Sequence, residues 1–335
     1  MSKVKLILIA LCLFVLVGCS PESPKKNGET KTSESNYKVA LLTGSGGLGD
    51  RSFNDMAWQG LQRAEKELDV EVSVVENQSY SDYATALKSV ADAGFNLVIT
   101  VGNDWGDVLT SLAPQYPNTW FAGVNIDVTG DNVSIIRFAD HEGSFLAGYL
   151  AAKFSKTSHI GFLGGADAPA INRFFVGYEE GAKKANPNVE ITSSYVGSFS
   201  DPGKGKEFAL QIYNSGADVI FGVAGKTGEG LFEAVKEKAD LFAIGVDQNQ
   251  DYIVEGKVLS SMMKRLDNAV FNLVGQLKSS KLKAETQIYG LAEEGVGLTD
   301  FKFTKDVIGE EILKELETVK QQIIDGEIKV TDLFE

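Results

Sequence analysis

The sequence predicts an α/β fold: two doubly wound parallel-sheet lobes joined by a hinge. Two observations carry the prediction. Short β-branched runs alternate with amphipathic stretches of helical period, the pattern of parallel sheets covered by helices on both faces. The alternation also comes as two series of similar length, which suits two lobes better than one oversized sheet. With 335 residues, 43% of them hydrophobic, the chain has ample apolar surface for both cores.

Taken in order, the first series has strands expected at 39–43, 71–76, 97–101, 120–125 and 134–138. Helices are expected between them at 54–68, 82–93, 107–113 and 141–154, the first starting behind Asp50 or Ser52, good N-cap residues. In the second series, strands at 159–163, 190–196, 219–223 and 242–246 alternate with helices at 172–186, 204–215 and 229–238. The tail adds a helix at 266–277, a strand at 287–291 and a last helix from 305, too little for a third domain. Residues 37–155 with about 250–290 are assigned to an N-terminal lobe, and 156–249 with about 291–335 to a C-terminal lobe. A chain that crosses between lobes more than once makes a hinge, and the cleft between them is the natural ligand site. No sequence repeat is evident.

The N-terminus bounds where the protein works. Lys3 and Lys5 precede an apolar run, 6–17, too short for the ~20 residues of a membrane-spanning helix. Leu16-Val17-Gly18-Cys19 then forms a lipoprotein-type cleavage site, so residues 1–18 read as a signal peptide and Cys19 as the lipid attachment point. Residues 19–36 carry no large apolar side chain and read as a flexible tether. Function is therefore expected outside the cytoplasm, on a membrane surface. Loss of the leader with its two lysines makes the formal charge of −14 more negative by two. So acidic a body repels nucleic acid, and its ligand is not a polyanion. Cys12 lies in the leader, and only His141 and His159 remain for metal binding, so neither a disulfide, a catalytic thiol nor a His/Cys metal site is expected.

Several segments invite a chemical reading. Gly44 to Gly49 fits GxGxxG after a strand, with Glu76 ending the next strand, as in a dinucleotide fingerprint. The third glycine precedes the helix start, however, and an exported protein has no supply of NAD; the loop is better read as close backbone approach to a ligand at the sheet edge. Gly225-Lys226-Thr227 lacks the upstream glycine of a P-loop, since position 220 is Ile220. Ser144 lacks the second glycine of a nucleophile elbow, and Asp104 has no histidine partner and reads as surface charge. No catalytic residue and no cofactor are expected.

Asp50-Arg51-Ser52-Phe53-Asn54, Asn125 ending a strand, and Glu142-Gly143-Ser144-Phe145-Leu146-Ala147-Gly148 appear in this order along the chain. They are followed by Ser198-Phe199-Ser200-Asp201-Pro202, Val223-Ala224-Gly225-Lys226-Thr227-Gly228, Ile244-Gly245-Val246-Asp247 and Ser261-Met262-Met263-Lys264-Arg265. Together they resemble the basic membrane protein family of lipoprotein receptors, typified by bacterial purine nucleoside receptors. The resemblance implies a type I periplasmic-binding-protein fold and a monomeric substrate-binding protein of an ABC importer. Its partners would be the transporter's membrane subunits and, through the lipid, the membrane. It implies a nucleoside in the cleft, its base between Phe53 and Phe199, its edge read by Asn54. Asp247 and Lys264 would hold the ribose, with backbone groups at Gly225. Asp50 is a further candidate. The two phenylalanines lie in polar loops, where core packing is less expected; Asp247 as a helix cap and Lys264 as a surface lysine are the plainer alternatives.

Two departures bear on the base. The purine receptors carry aspartates where this chain has Gly44 and Asn125, so no carboxylate reaches the base from either position. An amide such as Asn54 or Asn125 matches adenine's amino group and ring nitrogen, and adenosine is expected over guanosine. Trp105 is a further candidate for the cleft. The alternatives are another flat heterocycle, a free base or a flavin-like vitamin, or an NAD(P)-dependent enzyme built on Gly44–Gly49.

Overall fold

In the computed structural model the described residues are 37–44, 46–76 and 79–333. The expected signal peptide, Cys19 and tether lie outside them. The first half runs β1 (Lys38–Leu42), α1 (Phe53–Leu68), β2 (Glu71–Val75), α2 (Tyr80–Asp92), β3 (Leu97–Val101), α3 (Gly106–Leu112), β4 (Trp120–Val124), β5 (Val133–Phe138) and α4 (Asp140–Phe154). Then come β6 (His159–Gly164), α5 (Pro169–Ala185), β7 (Glu190–Tyr195), α6 (Pro202–Asn214), β8 (Val219–Val223), α7 (Glu229–Ala234) and β9 (Phe242–Asp247). The chain ends with β10 (Val258–Lys264), α8 (Leu266–Lys278), β11 (Thr286–Tyr289), β12 (Val296–Leu298), α9 (Lys305–Ile308) and α10 (Glu310–Ile324).

Two sheets result, ordered β2-β1-β3-β4-β5-β11 and β7-β6-β8-β9-β10-β12. Pairing is parallel except at the β10–β12 edge. Both begin 2-1-3-4-5, so the fold repeats where the sequence does not. In this order the chain reverses direction across the sheet between β1 and β3, and between β6 and β8. Loops diverge there at the carboxyl ends of the strands and leave a crevice, the usual ligand position in open α/β sheets. The central strands β1, β3 and β8 are buried almost throughout, which explains their unbroken apolar runs.

The expected elements form with ends shifted by a few residues, and the lobe boundaries differ. Strand β10 has no counterpart in the expected set. It reads Val-Leu-Ser-Ser-Met-Met-Lys, without β-branched alternation, because both its faces are buried: Ser260 bonds Thr299, and Ser261 bonds Asp251. It lies parallel to β9, so residues 258–264, assigned above to the first lobe, belong to the second sheet. Helix α4, also assigned to the first lobe, packs on α5 over the second sheet. Among the described residues the chain passes between sheets after β5, after β10 and after β11. The last helix is broken at Gly309, whose φ of +87° favours glycine and separates α9 from α10.

Helices α4 and α5 approach so closely that backbone meets backbone. A methyl on Gly148 would lie 1.9 Å from the Tyr178 carbonyl oxygen, and one on Gly181 would lie 2.0 Å from that of Phe145. Gly275 in α8 has only ordinary contact, with Leu68 at 3.9 Å. We expect Gly148→Ala and Gly181→Ala each to cost about 1–3 kcal/mol by forcing the helices apart. Gly275→Ala should instead stabilise by about 0.5–1 kcal/mol through helix propensity. Urea unfolding of the three variants checks this, and equal effects at all three positions would refute it.

Candidate functional site

The carboxyl ends of the two sheets face one another across a cleft open to solvent. Of the expected residues, Gly44, Asp50, Phe53, Asn54, Asn125, Phe199, Gly225, Asp247 and Lys264 line it. Trp105 does not. It is fully buried, stacked on Tyr83 at 4.0 Å and nearly parallel, inside the helix layer of the first lobe. Its size and apolarity drew it into the core, so the base contact expected of it is withdrawn.

The segment before α1 is organised by Asp50. Its carboxylate accepts backbone N–H bonds from Ser52, Asn54 and Asp55 and a side-chain bond from Asn54 Nδ2, at 2.9–3.1 Å. Four bonds fill the lone-pair sites of a carboxylate, so Asp50 caps the helix and has nothing left for a ligand. Burial raises its pKa to about 6, against those backbone bonds, which pull the other way. Asn54 is pinned in turn: its Oδ1 accepts the Gly44 N–H at 3.0 Å. A side chain at 44 has no room, because a Cβ there would lie 2.9 Å from the Val101 carbonyl oxygen. The glycine loop is held by Glu76, whose Oε2 accepts the Leu48 N–H. Gly49 precedes α1 by four residues, so the loop does not form the phosphate-facing helix start of a dinucleotide site.

Phe53 opens α1, and Lys264 Nζ lies 4.5 Å from its ring centroid. Phe199 enters from the other lobe, lying where Gly165 leaves space: a methyl there would come within 2.3 Å of its ring. Lys264 is buried, not a surface lysine. Phe138 and Phe174 also flank its ammonium, at 5.2 and 5.3 Å, and Asp140 Oδ1 lies 3.1 Å away as an ion pair.

Asn125, just after β4, and Asp247, the last residue of β9, lie at the ends of equivalent strands of the two sheets, and both take left-handed backbone, φ +56° and +67°. The Asn125 amide donates to Asp140 Oδ2 at 3.0 Å and accepts the Phe138 N–H at 3.3 Å. Asp247 accepts a hydrogen bond from Ser52 Oγ of the other lobe. Burial raises its pKa, opposed by the Lys264 charge and the Ser52 bond.

Sequence reasoning missed several residues. Ser52, Gln250 and Arg51 bridge the lobes: Gln250 Nε2 donates to the Arg51 carbonyl at 2.8 Å, and Arg51 Nε lies 3.7 Å from Glu229 Oε1. Phe174 and Ile171 of α5 line the cleft, hidden in the sequence as the apolar stripe of an amphipathic helix. Asp104, read as surface charge, lines it too. Its place after β3, at the reversal of strand order, was the available signal.

A two-lobed sheet pair with its polar groups gathered in one cleft has the form of a ligand-binding protein. Residues 37–333 match the family described as ABC transporter substrate-binding protein, PnrA-like. The chain belongs to this family, whose members bind substrate for a transporter and are not enzymes. It is 37% identical to a CD4+ T-cell-stimulating antigen of Listeria innocua, covering 95% of this chain and 94% of that one. It is 35% identical to the ABC transporter nucleoside-binding protein BmpA of Lactococcus lactis, covering 94% of each. Among solved structures, an ABC transporter solute-binding protein from Aeropyrum pernix K1 superposes with a TM-score of 0.83 at 30% identity, covering 89% of this chain and 94% of that one. The fold is the type I periplasmic-binding-protein fold.

The buried Asp50 gives a pH signature. Its folded pKa of about 6 lies above the ordinary 3.8, so its contribution to stability is full below about pH 4 and lost as pH rises through about 6. The unfolding free energy of the wild type, relative to that of Asp50→Asn, should therefore fall mainly between about pH 4 and about pH 6 and level off above about pH 7. Parallel pH profiles of the two proteins would contradict the assignment.

Proposed function

We propose that this protein is a lipid-anchored extracytoplasmic receptor that captures a purine nucleoside in the cleft and delivers it to an ABC importer. The observation that carries this reading is the pair Phe53 and Phe199, one from each lobe, facing a single cleft floored by Asp247 and Lys264. A flat base between two aromatic faces gains about 1–3 kcal/mol of stacking. Asp247, one oxygen held by Ser52, keeps acceptor capacity for ribose hydroxyls, and the Lys264 ammonium, 3.1 Å from Asp140, lines the cleft beside it. The nucleoside-binding relative from Lactococcus lactis supports the substrate class. Anchoring at Cys19 rests on the sequence of the leader.

Adenine is the favoured base. The Asn54 amide, fixed by Gly44 and Asp50, retains one lone pair on Oδ1 and one N–H on Nδ2. That pair matches the amino group and adjacent ring nitrogen of adenine. The Asn125 amide is engaged by Asp140 and Phe138, so this reading rests on Asn54 alone.

Calorimetry with adenosine tests the stacking. Phe53→Ala and Phe199→Ala should each weaken binding by more than about tenfold; normal affinity in either variant would remove that residue from the site. The ribose subsite has its own check. Asp247→Ala should lose most of the preference for adenosine over free adenine, and a wild type that binds the two equally well has no such subsite.

A further inference from the structure

The charged side chains lining the cleft are Asp50, Asp104, Asp247, Lys226 and Lys264. Asp50 has its lone pairs filled, Asp247 is held by Ser52, and Lys264 is paired with Asp140. Asp104 is the carboxylate left over: it is exposed to the cleft and engaged in none of the hydrogen bonds or ion pairs described above. Its position is defined by the fold. It sits two residues beyond Gly102, and Gly102 backs onto Gly44, where a methyl would lie 3.6 Å from the Gly44 Cα. Gly44 is in turn bonded to Asn54. Asp104 and the Asn54 amide thus line one cleft on loops that meet through two residues without side chains, Gly102 and Gly44.

We propose that Asp104 is a specificity residue that selects a 6-amino purine over a 6-oxo purine, an inference that rests on the nucleoside reading above. An amino group carries two hydrogens. Asn54 Oδ1 accepts one, and the Asp104 carboxylate accepts the other. A 6-oxo group offers only lone pairs to the same place, and a carboxylate facing them repels. This assigns selectivity to a carboxylate that stands outside the Asp50 capping network.

Adenosine and inosine differ at the purine in the 6-amino or 6-oxo group and in the N1 beside it, an acceptor in adenosine and an N–H in inosine; purine riboside has no 6-substituent and keeps the N1 acceptor. In calorimetric titrations of the full mature chain, Asp104→Asn should bind adenosine less tightly and inosine more tightly. The affinity ratio should fall at least about tenfold, the scale of one hydrogen bond to a charged group. Purine riboside affinity and melting temperature should stay at wild-type values. An unchanged ratio in a wild type that binds adenosine would remove the role of Asp104 alone. Equal weakening of adenosine and purine riboside would do the same, since the loss would then not concern the 6-position. A wild type that binds none of the three nucleosides removes the nucleoside reading and this role together.

Discussion

The site depends on one buried carboxylate, Asp140. It opens α4 just after the chain first passes between the sheets, and it is fully buried. Lys264 of the second lobe stands 3.1 Å from it, Arg173 of α5 at 3.2 Å, and the Asn125 amide of the first lobe at 3.0 Å. Arg173 continues the chain to Asp332 through two bonds of 2.7 and 2.9 Å, which ties the C-terminal segment beneath the cleft. Burying such charges costs several kcal/mol each unless every one is paired. The alternation of acid and base along Asp332, Arg173, Asp140 and Lys264 meets that condition. Loss of one buried partner typically costs about 3–5 kcal/mol, so the polar floor of the cleft holds as a unit. Lys264 is thereby kept in place by contacts that involve no ligand.

Repetition of the 2-1-3-4-5 order explains why the site is shared between lobes. Each sheet places two loops at its own reversal of strand order: Gly44 and Asp104 after β1 and β3, Gly165 and Gly225 after β6 and β8. Where the first lobe keeps this floor clear with Gly44 and Gly102, the second uses Gly165 to admit the Phe199 ring. The glycines of the Gly44 loop are thus a matter of space. A flat ligand needs walls without side chains on one line and aromatic faces on another, and this arrangement provides both.

Much of the architecture was legible in the sequence, because period and burial agree in strands such as Leu97–Val101 and Val219–Val223. What escaped was decided by tertiary surroundings. β10 is a buried strand whose serines find partners on Thr299 and Asp251, a feature no local pattern announces. Phe53, Phe199, Asp247 and Lys264 were brought to the cleft by motif order, yet composition alone could not separate them from Trp105, an equally large aromatic in an equally polar loop. The difference is geometric: Trp105 finds the Tyr83 ring behind it, whereas Phe199 meets the open space beside Gly165. Asp104 escaped for the opposite reason, since an exposed aspartate after a strand resembles any surface charge until the strand order places it at the crevice.

The segment from Asp50 to Asn54 joins binding to the relation between lobes. Phe53 and Asn54 face the cleft, while Ser52 bonds Asp247 and the Arg51 carbonyl accepts from Gln250. Arg51 reaches these contacts through left-handed backbone, φ +47°, which a non-glycine residue adopts only where its surroundings hold it. Opening the cleft breaks the Ser52 and Gln250 bonds and exposes the buried Asp247 carboxylate to water, which offsets part of that loss. A ligand shifts the balance between open and closed forms only by the contacts it makes differently in the two. Phe53 and Phe199 lie on opposite lobes, so in the proposed complex a base sandwiched between both is available to the closed form alone. Closure would then add the second stacking face, whereas contacts confined to one lobe add affinity without favouring either form.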